Sequence, residues 1–247
     1  MVITSRILQD KLGINPVVAD YFANHRPVPA NNLFWKDKRI YLSVGFGFLT
    51  IPFAFDLMHK KGLSLEVLLE DQHVSLMEEG FDRLKKYESQ LISFDEFIQS
   101  CVLLLEGKTR QINLSRELFG LFSGQAPSLF TFETKHKALA RSDFFLFTLV
   151  DLSVNDEWVE SFLPYWYALA RPILLLDDFR DLAEDRISGE ENTIIEMGDD
   201  KAAVERAYAL GKSDLSKLAE VNPQLADFIE GLLKDSLRYE PVRSMLT

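Results

Sequence analysis

Between positions 177 and 185 the chain reads DDFRDLAED, five carboxylates directly after the apolar run Ile173 to Leu176. On a helix turning about 100° per residue, Asp177, Asp178, Asp181, Glu184 and Asp185 fall within an arc of roughly 120°. Read backwards, the same stripe carries Leu163, Trp166, Tyr167, Ala170, Ile173 and Leu174. The charge therefore prolongs an apolar face, and the acids are expected to point into the molecule. Exposed like charges on a helix repel by about 0.2–0.5 kcal/mol per pair, and desolvated ones by more, so something positive should offset them. Hard oxygen ligands in such an array suit Mg²⁺, which takes one or two carboxylates, keeps several waters and accepts further oxygens from phosphates. The plainer alternative is a solvated helix end with intrahelical Asp–Arg pairs, although Arg180 and Arg186 project away from the centre of the cluster.

A second acidic stretch, EVLLEDQHVSLMEEGFDRL, begins at Glu66. Its period places Glu66, Glu70, Val74, Met77, Phe81 and Leu84 on one helical stripe, with Asp71 about 100° away. Cations that could meet an anionic ligand are Lys108 and Arg110, Lys135, Lys137 and Arg141, and Arg238 beside Tyr239. Two Glu-x-x-His pairs, Glu70 with His73 and Glu133 with His136, raise a di-iron helical bundle as a rival. That site needs a further glutamate from each of two other helices, no glutamate precedes Glu66, and the 177–185 cluster would have no role. Cys101, in the apolar run QSCVLLL, reads as a small core residue.

These residues must be carried by helices. Apolar residues recur at spacings of three and four and no stretch alternates strictly, which predicts an all-α, single-domain bundle spanning 1–247. The expected helices cover 4–24 with a break at Gly13 to Pro16, then 36–60, 64–91, 94–122, 127–152, 156–187, 199–219 and 223–240. Ser93 and Glu96 form a capping box, Gly62 and Ser64 end one helix and begin the next, and Pro127 and Pro223 suit first turns. Pro164 and Pro172 fall inside a long helix.

Of the 247 residues 47% are hydrophobic, enough for a sizeable core. A formal net charge of -11 opposes nucleic-acid binding. The single cysteine excludes an internal disulfide and fits a reducing, cytoplasmic compartment. The N-terminal segment lacks the pattern of a signal peptide and reads as mature protein. The longest uncharged run, Ile40 to Phe55, is too short to span a membrane and is expected to be a buried helix.

DDFRD at 177–181 has the DDxxD spacing of trans-polyprenyl diphosphate synthases, and RDLAEDRISGE at 180–190 resembles the RDxxEDxxxGR stretch of squalene and phytoene synthases. The approach, NDEWVESFLPYWYALARPILL, is similar to the one before the second Asp-rich motif of the class I isoprenoid synthase superfamily, to which both groups belong. The resemblance covers about residues 155 to 192. It implies an all-α domain around a central cavity and Mg²⁺ bound by Asp177, Asp181 and Asp185, with Asp178 and Glu184 as alternates. It further implies a prenyl diphosphate substrate that leaves an allylic cation in a dry apolar pocket, with Asp177 and Asp181 catalytic.

No DDxxD or DxxxD precedes position 177, so Glu70, with Glu66 or Asp71, stands as a degenerate first motif and a metal ligand. The Arg238–Tyr239 pair resembles the Arg-Tyr pair of class I terpene cyclases that contacts diphosphate, and Arg110 and Lys137 are further candidate diphosphate contacts. SGEENTIIEMGDD at 188–200 would be the closing loop, without the lysine often found there. A homodimer is the assembly considered. The rival reading is a degenerate isoprenoid-synthase fold acting as a regulatory or partner subunit.

Overall fold

The computed structural model describes residues 3–43, 45–133 and 135–247, and every regular element among them is helical. The all-α expectation is met. Val44 and Thr134, which fall in the expected helices 36–60 and 127–152, lie outside the described residues.

Helices α1 (Ser5–Leu12) and α2 (Pro16–Asp20) are separated at Gly13, whose φ of +61° favours a residue without Cβ. Asn15 caps α2 by accepting the Val17 N–H at 2.9 Å, and Pro16 occupies a first turn where its missing N–H costs nothing. A π-helical turn (Tyr21–His25) follows, and α3 (Phe46–Lys60) begins ten residues later than expected. The intervening chain is shaped by side chains instead. Asn31 and Asp37 adopt positive φ, Asp82 accepts the Leu33 N–H at 2.8 Å, and the Trp35 indole donates to the Tyr41 carbonyl at 3.1 Å.

The helix expected over 64–91 is two, α4 (Leu65–Leu68) and α5 (Asp71–Glu88), with Leu69 and Glu70 between them. The one over 94–122 is also two, α6 (Phe94–Leu105) and α7 (Ile112–Phe122), parted around Gly107 at φ +71°. The Ser93–Glu96 capping box and the Ser64 cap are both formed. Pro127 starts no helix. The Glu117 carboxylate accepts the backbone N–H groups of Ser128 at 2.6 Å and Leu129 at 3.0 Å, and these bonds hold the loop open. The expected 127–152 helix contracts to α8 (Lys137–Ala140) and a 3₁₀ segment (Arg141–Leu149). The long α9 (Asp156–Ser188) matches expectation, both internal prolines included. After it come α10 (Thr193–Glu196), α11 (Lys201–Leu218), α12 (Pro223–Ser236) and α13 (Glu240–Leu246).

The helices assort into two compact units. The first holds the chain up to Ser5, Asn15–Thr131 and Asp143–Phe162; the second holds Arg6–Ile14, Phe132–Ser142 and Leu163–Thr247. In the first, Phe22 packs edge-on against Phe55 with ring centroids 4.8 Å apart, and α5 packs on α6. Arg26 donates to both Glu78 carboxylate oxygens at 2.8 Å and pairs with Asp71, fixing the turn after α2 to α5. In the second, α11 packs on α12, and Gly211 lets Leu233 and Leu175 approach the backbone closely. Asn222 donates to the Leu12 carbonyl at 3.0 Å, joining the start of α12 to the end of α1.

Candidate functional site

The C-terminal half of α9, within the second unit, carries the acidic cluster. Its five acids divide between two faces. Asp178 and Asp185 are buried with Leu175, Phe179 and Leu182 on the inward side. Asp177 and Asp181 keep 61% and 42% of their side-chain surface exposed, and Glu184 is exposed as well. The expectation that all five point inward is thus corrected: the helix is wide enough for an arc of acids to straddle the edge of the core.

The inward pair is engaged by protein groups. Arg141 donates through Nη2 to Asp178 Oδ1 at 2.8 Å, and the Thr193 backbone N–H donates to Asp178 Oδ2 at 3.0 Å. One Asn192 side-chain nitrogen donates to the Asp178 carbonyl at 2.7 Å and to Asp185 Oδ2 at 2.8 Å. Asn192 also caps α10, accepting the Ile194 N–H at 2.9 Å. The chain after α9, read from sequence as a closing loop, therefore folds down onto α9 at Asn192 and Thr193. Asn192 and Thr193 were missed, although an Asn ahead of Thr-Ile-Ile is a helix-start signal that could have found them.

Burial raises the Asp178 carboxyl above its usual range against the opposing Arg141 charge and the Thr193 bonds. Asp177 is raised too, first by desolvation at the crowded helix end and then by the charges of Asp181 and Asp185, with Arg141 opposing. Arg141 Nη1 stands 3.8 Å from Asp177 Oδ2. Arg180 Nε lies 3.7 Å from Asp181 Oδ1, whereas Arg186 turns to Asp199 at 2.6 Å.

Of the cations on other segments named from sequence as contacts for an anionic ligand, Arg141 is brought to the acids. Lys137 is exposed on α8, Arg238 pairs with Asp235 at 2.9 Å, and the half-exposed Tyr239 precedes α13. Arg110 and Glu70 belong to the first unit, where Arg110 Nη1 donates to Ser153 Oγ at 3.4 Å. Glu70 is exposed and extended at the start of α5, while Glu66 sits on the separate α4. The single stripe expected to hold both is broken at Leu69 and Glu70.

The same break undoes one Glu-x-x-His pair, since Glu70 is outside the helix that carries His73. Glu133 and His136 both precede α8. His73 is buried with Nδ1 2.9 Å from Asp151, and His136 lies 3.6 Å from Glu196. Neither pair presents the two side chains from one helical face, as a di-iron bundle requires. Cys101 is buried, and burial pushes its thiol up to about 11.

Among the described residues, no group of three or more His, Cys, Asp or Glu side chains is arranged to hold a metal ion. The donor set nevertheless fits one hydrated Mg²⁺. Asp177 and Asp181, one turn apart and open to water, offer the one or two carboxylates that such an ion takes while it keeps its waters. Among the described residues no helix is long and apolar enough to cross a membrane. Comparison with protein-family models, curated proteins and solved structures finds no match to this chain.

Proposed function

We propose that this chain binds a prenyl diphosphate through Mg²⁺ held by Asp177 and Asp181, and acts as a class I isoprenoid synthase-like enzyme releasing diphosphate from an allylic substrate. The observation that carries the reading is the exposed Asp177–Asp181 pair at the end of the apolar α9 stripe, in the segment whose sequence resembles that superfamily. Bound there, the ion would draw charge onto the leaving diphosphate. Asp177 and Asp181 would hold it, with Glu184 as a flanking ligand. Asp178 and Asp185, engaged by Arg141, Thr193 and Asn192, hold the helix end in place. Lys137, Arg238 and Tyr239 are proposed diphosphate contacts on the same unit. Transfer, coupling and cyclisation are all compatible with this arrangement.

A second reading, a degenerate member of that fold serving as a partner subunit, is favoured by the break between Glu66 and Glu70. Incubating the protein with Mg²⁺ and prenyl diphosphates of graded length separates the two. Metal-dependent diphosphate release that is lost in Asp177→Ala and Asp181→Ala supports the enzyme. Neither release nor metal-dependent diphosphate binding, with metal binding unchanged in those two variants, sinks the enzyme and supports the partner subunit.

A further inference from the structure

Residues 133 and 135–141, part of the second unit, are fastened to α9 and α10 of the same unit at three points. Arg141 pairs with Asp178 at the far end, and Glu196 accepts the Ala138 N–H at 3.0 Å in the middle. At the near end Glu133 pairs with Arg171 of α9, which also pairs with Asp214 of α11. This near fastening is ionically unbalanced, because one guanidinium serves two carboxylates. It is also incompletely bonded: Arg171 Nε and Asp214 Oδ2 are buried and have no hydrogen-bond partner among the described residues. A buried carboxylate oxygen left over in a cluster of net negative charge has a simple remedy, which is one proton.

We propose that Glu133, Arg171 and Asp214 form a proton-operated clasp, in which Asp214 takes up one proton and thereby tightens the hold of Glu133 and residues 135–141 on α9. With Asp214 ionised, Arg171 divides its charge between two acids that repel each other. With Asp214 neutral, that repulsion is gone and Arg171 belongs wholly to Glu133. The proton comes from solvent and returns to it, and no bond between heavy atoms changes.

The surroundings leave Asp214 to these partners. Its side chain is 7% exposed. From α9 it meets Arg171, whose guanidinium lies over the Tyr167 ring at 5.7 Å, and from the chain before α8 it meets Glu133. Beside it on α11, Lys212 turns to Glu230 of α12 at 3.4 Å, in the open. The buried residues of α12 are Leu225, Ala226, Ile229, Leu233 and Ser236, while its Asp227, Lys234 and Asp235 are exposed. From α10, Glu196 is committed to His136 and Ala138, and in α13 Glu240 and Arg243 pair with each other. Desolvation first, and then the Glu133 charge, lift the Asp214 carboxyl to about 6 against the pull of Arg171. The clasp would therefore operate in mildly acidic solution, independently of any metal or diphosphate.

Hydrogen–deuterium exchange of residues 135–141, corrected for intrinsic chemistry and compared at about pH 5 and about pH 7.5, tests this. The wild-type segment should be about five- to tenfold better protected at the lower pH. Asp214→Asn should show the high protection at both pH values, and Glu133→Gln the low protection at both. Equal wild-type protection at the two pH values, or a pH response surviving in Asp214→Asn, would overturn the proposal. The Asp214 side-chain carboxyl carbon, followed by NMR in the unmodified protein, gives a reading that needs no variant. A midpoint near 6 supports the clasp, and a midpoint below about 4.5 refutes it.

Discussion

At the residue scale, Asn192 does more than its exposed-loop neighbours suggested. Its side-chain amide makes three buried hydrogen bonds, donating to the Asp178 carbonyl and the Asp185 carboxylate and accepting from the Ile194 N–H. Asn192→Ala leaves those groups without partners. The expected loss is about 2–4 kcal/mol of unfolding free energy in urea titration, well beyond the effect of Glu190→Ala on the exposed stretch just before it. The sequence disclosed that five acids share an arc of one helix, and that arc is real. It did not disclose that the boundary of the core cuts through the arc, because helical periodicity fixes angles and not the depth at which neighbouring segments press. Arg141 was legible as a cation but not as the partner of Asp178, since the pairing spans 37 positions of chain.

At the element scale, the long apolar periods were reliable where tertiary packing agreed with them. α9 and α11 emerged at nearly their expected bounds. The failures have more than one cause: Gly107 at positive φ parts α6 from α7, and elsewhere side chains reaching in from other elements take up backbone N–H groups. Glu117 gathers the N–H groups after Pro127, and Asp82 holds the Leu33 N–H of the irregular segment before α3. Close helix packing brings its own prediction. A Cβ on Gly211 would stand 2.7 Å from Leu233 Cδ2 and 3.3 Å from Leu175 Cδ1. Gly211→Val should therefore cost about 1–3 kcal/mol, read as a lower urea midpoint at unchanged slope.

At the scale of the whole molecule, stability should depend on pH through its buried acids. Asp214, near 6 in the folded chain against 3.8 as its ordinary value, binds its proton more tightly when folded. The cost of its ionised form is fully present above pH 6 and fades as pH falls towards 3.8. At about 1.4 kcal/mol per unit this amounts to roughly 3 kcal/mol. Asp177 and Asp178, both raised, act in the same direction. Urea midpoints of the wild type, measured relative to Asp214→Asn, should rise as pH is lowered from about 7 to about 5.

The three tryptophans give the molecule built-in optical probes. Trp35 and Trp158 belong to the first unit and Trp166 to the second. Trp158 donates to the Lys61 carbonyl at 2.9 Å, and Trp166 to the Ser142 carbonyl at 3.2 Å. Trp158 and Trp166 lie on the same helix, α9, one in each unit, so each emission reports a different unit. Chains retaining one tryptophan, made with Trp→Phe at the other two positions, should show a common urea midpoint if helix α9 carries cooperativity from end to end. Midpoints that separate would mean that this helix melts in two instalments.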